Sequence, residues 1–143
     1  MPVVRGAESA DVGKEPFKML IRSRARDLVF ILLGILVLVM KRQLAQLGGV
    51  AVRDYGGNIA ASFAAFFLLK LPAIPSGFRL AIAAASSLLV TELFEATSGF
   101  GFMSNTYDPG DYLANAIGVG LALGVEAIML LVSRPRASVT GNV

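Results

Sequence analysis

Four apolar runs, set apart by polar, glycine- and proline-bearing segments, give the chain its pattern. They cover residues 28–40, 58–71, 78–96 and 112–132. Each lacks the strict alternation of a half-buried strand and is long enough for helix. A helix rises about 1.5 Å per residue and a bilayer's hydrocarbon core is about 30 Å thick, so a span needs about 20 residues. Only the last run reaches that length alone. The first covers about 20 Å at that rise. It is predicted to extend from about Ala25 into "KRQLAQL", with Lys41 and Arg42 reaching back to the interface. The second closes in "LPAIPSG", where Pro72, Pro75 and Gly77 predict a turn. The expected fold class is an all-α membrane protein with four transmembrane helices. A polar arm over residues 1–16 precedes a four-helix domain over 17–132, and a polar tail follows over 133–143.

Composition agrees. Hydrophobic residues make up 55% of the chain, and mean hydropathy is +0.69. Cysteine and histidine are both absent, which removes disulfides, thiol nucleophiles, histidine-based triads and imidazole or thiolate metal sites. Carboxylate, lysine, serine, threonine, tyrosine and arginine chemistry remains, and no cofactor is expected.

Charge gives an orientation. Among the 13 lysines and arginines, Lys41, Arg42 and Arg53 fall at one end of the predicted spans and the rest at the other. The positive-inside bias then places both termini in the cytoplasm of a bacterial inner membrane. The segment "FKMLIRSRARD" from Phe17 interleaves apolar and basic side chains, as does an amphipathic segment on anionic lipid head groups. It equally suits the charged flank of the next span. The bilayer and such head groups are the expected partners, with other membrane subunits as further candidates. No nucleic-acid partner is expected.

A short motif recurs. "RDYGGNIA" opens the second span and "GDYLANAI" the fourth, sharing D-Y-x-x-N at an offset of about 57 residues. The repeat suggests two helical hairpins in parallel orientation. A carboxylate at a helix start accepts bonds from free N–H groups, so Asp54 and Asp111 are predicted helix caps. Asn58 and Asn115, one turn further in, can bond across helices. Glu92 and Glu95 share a face of the third span. With Asp108, Asn58, Asn115 and Arg53 they are expected to form an acidic pocket at the outer face. Pro109 disfavours helix at Asp108, which leaves that side chain to face the pocket. Crowded carboxylates there would share protons, hold a hard cation such as Mg²⁺ or Ca²⁺, or form a solvated rim with one salt bridge.

Two further features lie deeper. Lys70 and Glu126 should sit at similar depth under the repeat offset, and an ion pair would relieve both. Gly118, Gly120 and Gly124 on the fourth span, with the alanines and serines of the second and third, predict close helix packing. The first span, rich in Leu, Ile and Val, should face lipid.

The stretch "TELFEATSGFGFMSNTYDPGDYLANAIGVGLALG" resembles the C-terminal half of VanZ-like membrane proteins. The match lies in the acidic end of the third span at Glu92 to Glu95, the D-x-x-D of Asp108 and Asp111, and Leu113, Asn115 and Gly118 at the next helix start. Glu95 stands where many relatives carry Gln, and the histidine usual early in the second span is missing. The resemblance implies a small bacterial envelope membrane protein. It implies no particular reaction. Four functions fit this reading: a non-catalytic protein binding an amphiphilic ligand or partner in the acidic pocket, an accessory subunit of a larger membrane complex, a carboxylate-dependent membrane enzyme, and a proton- or cation-coupled carrier.

Overall fold

The computed structural model describes residues 14–72, 78–99 and 108–133, with side chains from Ile21 onward. Every element among them is helical: α1 (Lys14–Val39), α2 (Lys41–Lys70), α3 (Arg79–Ala96) and α4 (Pro109–Val132). The arm before Lys14, most of the "LPAIPSG" turn, most of the loop before Asp108 and the tail after Ser133 lie outside the described residues.

The chain reverses between α1 and α2 by two breaks. The first is at Met40. The second is at Gly49, whose φ of 72° lies in the left-handed region that favours glycine. Residues 41–48 form the corner between them. "KRQLAQL" therefore opens α2 and does not prolong the first span, because the helix ends at Val39. Past Gly49 the chain doubles back along α1. Asp27 meets Lys70, Phe30 stacks on Phe67 at 4.7 Å between centroids, and Gly34 lies against Ala60 and Ala64. Leu38 reaches Gly57. This is an antiparallel register along the whole pair.

Helix α4 runs parallel to α2. Gly110 abuts the Tyr55 ring, Gly118 sits on Ser62 and Ile59, and Glu126 reaches Lys70, 56 residues away in sequence. Helix α2 is thus the centre, touching α1, α3 and α4, while α3 and α4 also touch each other. The core lies among them: Phe66 and Phe67 of α2, Ala83 of α3, and Val119 and Ala122 of α4 are all buried. Phe67 makes ring contacts with Phe30, Phe63 and Phe66. Aromatic pairs of this kind contribute about 0.5–1.5 kcal/mol each beyond their buried area. Ser87 of α3 donates to the Ser62 carbonyl at 3.1 Å, so small hydroxyls also bond helix to helix.

The outside of the bundle is apolar. Leu28, Val29, Leu32, Leu33 and Leu36 of α1 are about half exposed, as are Leu113, Leu121, Ile128 and Leu131 of α4. Among the described residues α4 alone is long and apolar enough to cross a membrane, and α1 and α2 reach that measure only together, as one bent pair.

The glycines of α4 divide. A Cβ on Gly118 would collide with Ser62 Oγ and the Ile59 carbonyl, so this residue does let the backbones of α2 and α4 close up. Gly120 and Gly124, predicted to pack as well, face away from the other described helices, and a Cβ on either would meet no described residue within 4 Å. They lie on α4 two and six residues beyond Gly118, which turns them off the face that meets α2. Gly118→Ala should lower stability by about 1–3 kcal/mol, the usual scale for forcing a methyl into a packed interface. Gly124→Ala should leave stability unchanged or raise it by up to about 1 kcal/mol, since alanine favours helix. Thermal unfolding in detergent micelles measures both.

Candidate functional site

Charged and polar groups gather at both ends of the bundle. At the end where α1 begins and α2 stops, four ionised side chains meet. Lys70 Nζ lies 2.8 Å from Asp27 Oδ1 and 2.7 Å from Glu126 Oε2. Arg26 Nη2 lies 3.0 Å from Glu126 Oε2 and 3.3 Å from Asp27 Oδ1. Asp27 is fully buried, and Lys70 and Glu126 nearly so. Two cations face two anions, so the cluster is neutral, the condition under which buried charge is tolerated. Lys70 also stands 5.0 Å from the Phe67 ring centre. Its backbone carbonyl accepts from Arg79 Nε and Nη2 at 3.0 and 2.8 Å. The expected partners Lys70 and Glu126 are therefore in contact, within a larger network than a pair.

Arg26 and Asp27 were missed as members of that network. By sequence Arg26 belongs to the basic segment that flanks the first span. The signal lay in the helical spacing of Asp27, Phe30, Ile31 and Gly34, one stripe of α1 that faces α2. A carboxylate heading such a stripe must be buried with it and needs a cation.

At the other end a cleft of about 580 Å³ opens between α2, α3 and α4, closed on one side by the α1–α2 corner. Leu38, Ala61, Ala65, Val90 and Phe94 form apolar walls. Lys41, Asp54, Glu95, Asp111, Asn58, Asn115 and Thr91 supply the polar lining. Of the residues predicted for the pocket, Glu95, Asn58 and Asn115 do line it. Glu92, Asp108 and Arg53 do not.

Each of these three has another place. Asp108 is the N-cap of α4: its backbone is extended (φ −127°, ψ 114°) and Oδ1 accepts from the Gly110 N–H at 2.8 Å. The predicted cap, Asp111, lies inside the first turn and lines the cleft. The reason is Pro109 at the first helical position. It holds Asp108 extended, which is cap geometry, so the helix starts two residues before Asp111. Tyr55 donates to the other Asp108 oxygen at 3.4 Å, and the Asp108 charge holds the Tyr55 phenol above its usual range. Asp54 is no cap either, because it lies five residues past the Gly49 break, already inside the helix. It pairs instead with Arg53 Nε at 2.9 Å, a hydrogen bond that holds its carboxyl below the usual range. Arg53 thus faces solvent outside the cleft. Glu92 is half-buried on α3, and one of its carboxylate oxygens has no hydrogen-bond partner.

No three carboxylates among the described residues come together as a metal-binding group. The cleft offers instead dispersed carboxylates and amides over an apolar floor, a lining suited to holding an amphiphile by its chain and its head group. Compared with family models, curated proteins and solved structures, the chain matches none.

The two ends should respond differently to substitution. Lys70→Ala strips two buried carboxylates of their shared cation and should cost about 3–5 kcal/mol. Asp108→Ala removes a cap and should cost about 0.5–2 kcal/mol, while Asp108→Asn keeps the cap and should cost much less. Asp111→Asn should change stability by no more than about 0.5 kcal/mol. Unfolding midpoints of the four variants in one detergent would rank them, and a larger loss at Asp111 than at Asp108 contradicts the cap assignment.

Proposed function

We propose that the protein is a VanZ-like, four-span membrane protein of the bacterial cell envelope that binds an amphiphilic ligand in the cleft at the Tyr55 end of the bundle. The carrying observation is the cleft lining, in which apolar walls from α2 and α3 meet carboxylates and amides from α2, α3 and α4. Apolar walls suit a chain, and the carboxylates and amides suit a polar head group. The four-span, multi-pass topology is supported by the apolar exterior of α1 and α4. The concentration of lysine and arginine at the Lys70 end supports cytoplasmic termini in the inner membrane, with the basic start of α1 on anionic head groups.

A second reading is that of an accessory subunit in a larger membrane complex. It is favoured by Gly120 and Gly124, which present a small-residue face with no described residue against it. No comparable observation favours the enzyme or the carrier.

Extraction from native membranes into polymer-bounded discs, followed by mass spectrometry of bound molecules, tests both. A retained amphiphile that is lost when Ala61→Trp fills the cleft supports the ligand reading. A stoichiometric protein partner lost on Gly124→Leu, with no retained amphiphile, favours the subunit. Reporter fusions at Ser104 and at the C-terminus should report opposite sides of the membrane, and the same side for both rejects the four-span topology.

A further inference from the structure

The corner between α1 and α2 has an outer face that neither the core nor the cleft uses. Residues 41–48 lie between the breaks at Met40 and Gly49. Lys41, Leu44 and Ala45 are half-buried, and Lys41 lines the cleft. Arg42, Gln43 and Gln46 are exposed. So are large apolar side chains at both breaks: Val39 and Met40 at the first, Leu47 and Val50 at the second. Leu47 is 89% exposed, more than any other large apolar side chain among the described residues. Water is a poor neighbour for such a set.

The register of the helices gives the corner a depth. The apolar run of α4 over residues 112–132 rises about 30 Å, the thickness of a hydrocarbon core. Its outer boundary then lies at Tyr112. Tyr55 is at nearly the same level, because its ring abuts Gly110, and both tyrosines suit the interfacial belt. Leu38 reaches Gly57, so α1 ends close to that level too. Val50 comes five residues before Tyr55 and stands at most about 8 Å further out. The head-group layer on each side of a bilayer is about 5–8 Å deep. The whole corner therefore has the height of that layer and does not rise clear of it.

Resting on the four-span reading, we infer that the corner is a membrane-interface element, seated among the phospholipid head groups of the outer leaflet. Its exposed apolar side chains continue the lipid-facing surface of α1, where Leu32, Leu36 and Val39 are also exposed. Arg42, Gln43 and Gln46 supply N–H donors for lipid phosphate and ester oxygens. A layer that mixes apolar and polar groups accepts both kinds of side chain, as it does for interfacial helices. The two breaks serve this placement, since a straight continuation of α1 past Met40 would carry residues 41–48 about 12 Å outward.

The chain has no tryptophan, so one substitution makes a single fluorescent reporter. Leu47→Trp and Leu32→Trp are placed in the full chain, in phosphatidylcholine vesicles brominated either near the head group or deep in the acyl chains. Leu47→Trp should be quenched at least about twofold more by the shallow bromine than by the deep one, and Leu32→Trp the reverse. Aqueous iodide should quench Leu47→Trp at most about a third as well as it quenches free tryptophanamide. Iodide quenching equal to that of the free amide, with neither bromolipid effective, puts the corner in water and overturns the inference. Shielding from iodide and from both bromolipids reveals a protein cover, and stronger quenching by the deep bromine reveals burial in hydrocarbon; either overturns it too. In each of these cases Leu32→Trp still reports the span. If neither bromolipid quenches Leu32→Trp, the membrane reading itself fails and the inference falls with it. Leu47 is almost wholly exposed, so its substitution leaves the packing alone, and Val50→Trp repeats the measurement from the far side of Gly49.

Discussion

Lys70 is where the four helices are joined. Its ammonium bridges Asp27 of α1 and Glu126 of α4, its backbone carbonyl is held by Arg79 of α3, and its chain belongs to α2. No other described residue has bonds to all four. The ammonium carries three donors, and two are spent on carboxylates of different helices. The geometry fixes the relative depth of α1, α2 and α4 in one stroke. It also explains why α2 can be central although its composition is mixed: the polar residues at its C-terminus are answered inside the protein. Beyond the charge network the bundle is held by small-residue contact, with Gly34 against Ala60 and Ala64 and Gly118 against Ser62 and Ile59.

Much of this fold was legible because the signals were local or periodic. Each of the four apolar runs falls within one helix to within a residue, and the shared D-Y-x-x-N motif anticipates the parallel course of α2 and α4. The corner at residues 41–48 was not legible in the same way. "KRQLAQL" is good helix sequence, and the breaks at Met40 and at the left-handed Gly49 are what turn the chain. The GxxxG spacing of Gly120 and Gly124 was equally misleading. Spacing identifies a face that permits close packing, but which partner lies opposite is a property of the assembled bundle.

The site was legible by composition and not by role. Glu95, Asn58 and Asn115 line the cleft as expected, yet the tasks of Asp108 and Asp111 are reversed. Both fit a cap on sequence alone, and the proline between them decides. Asp54 shows how a motif shared by two helices can sit differently in each. It lies inside α2, five residues past the Gly49 break, so the helix has already started before it. Asp27 illustrates the reverse case, a residue overlooked because its neighbour Arg26 made the pair look like a surface flank.

The neutral network at Lys70 also has a consequence for the order in which the chain is made. Asp27 and Lys70 are synthesised well before Glu126, which follows Lys70 by 56 residues. At roughly 5–20 residues per second that gap lasts roughly 3–11 seconds. During it, Arg26 and Lys70 share one carboxylate, and the nascent hairpin carries an uncompensated positive charge where the finished protein carries none. The early hairpin is thereby marked as incomplete, and the arrival of α4 is the event that discharges it.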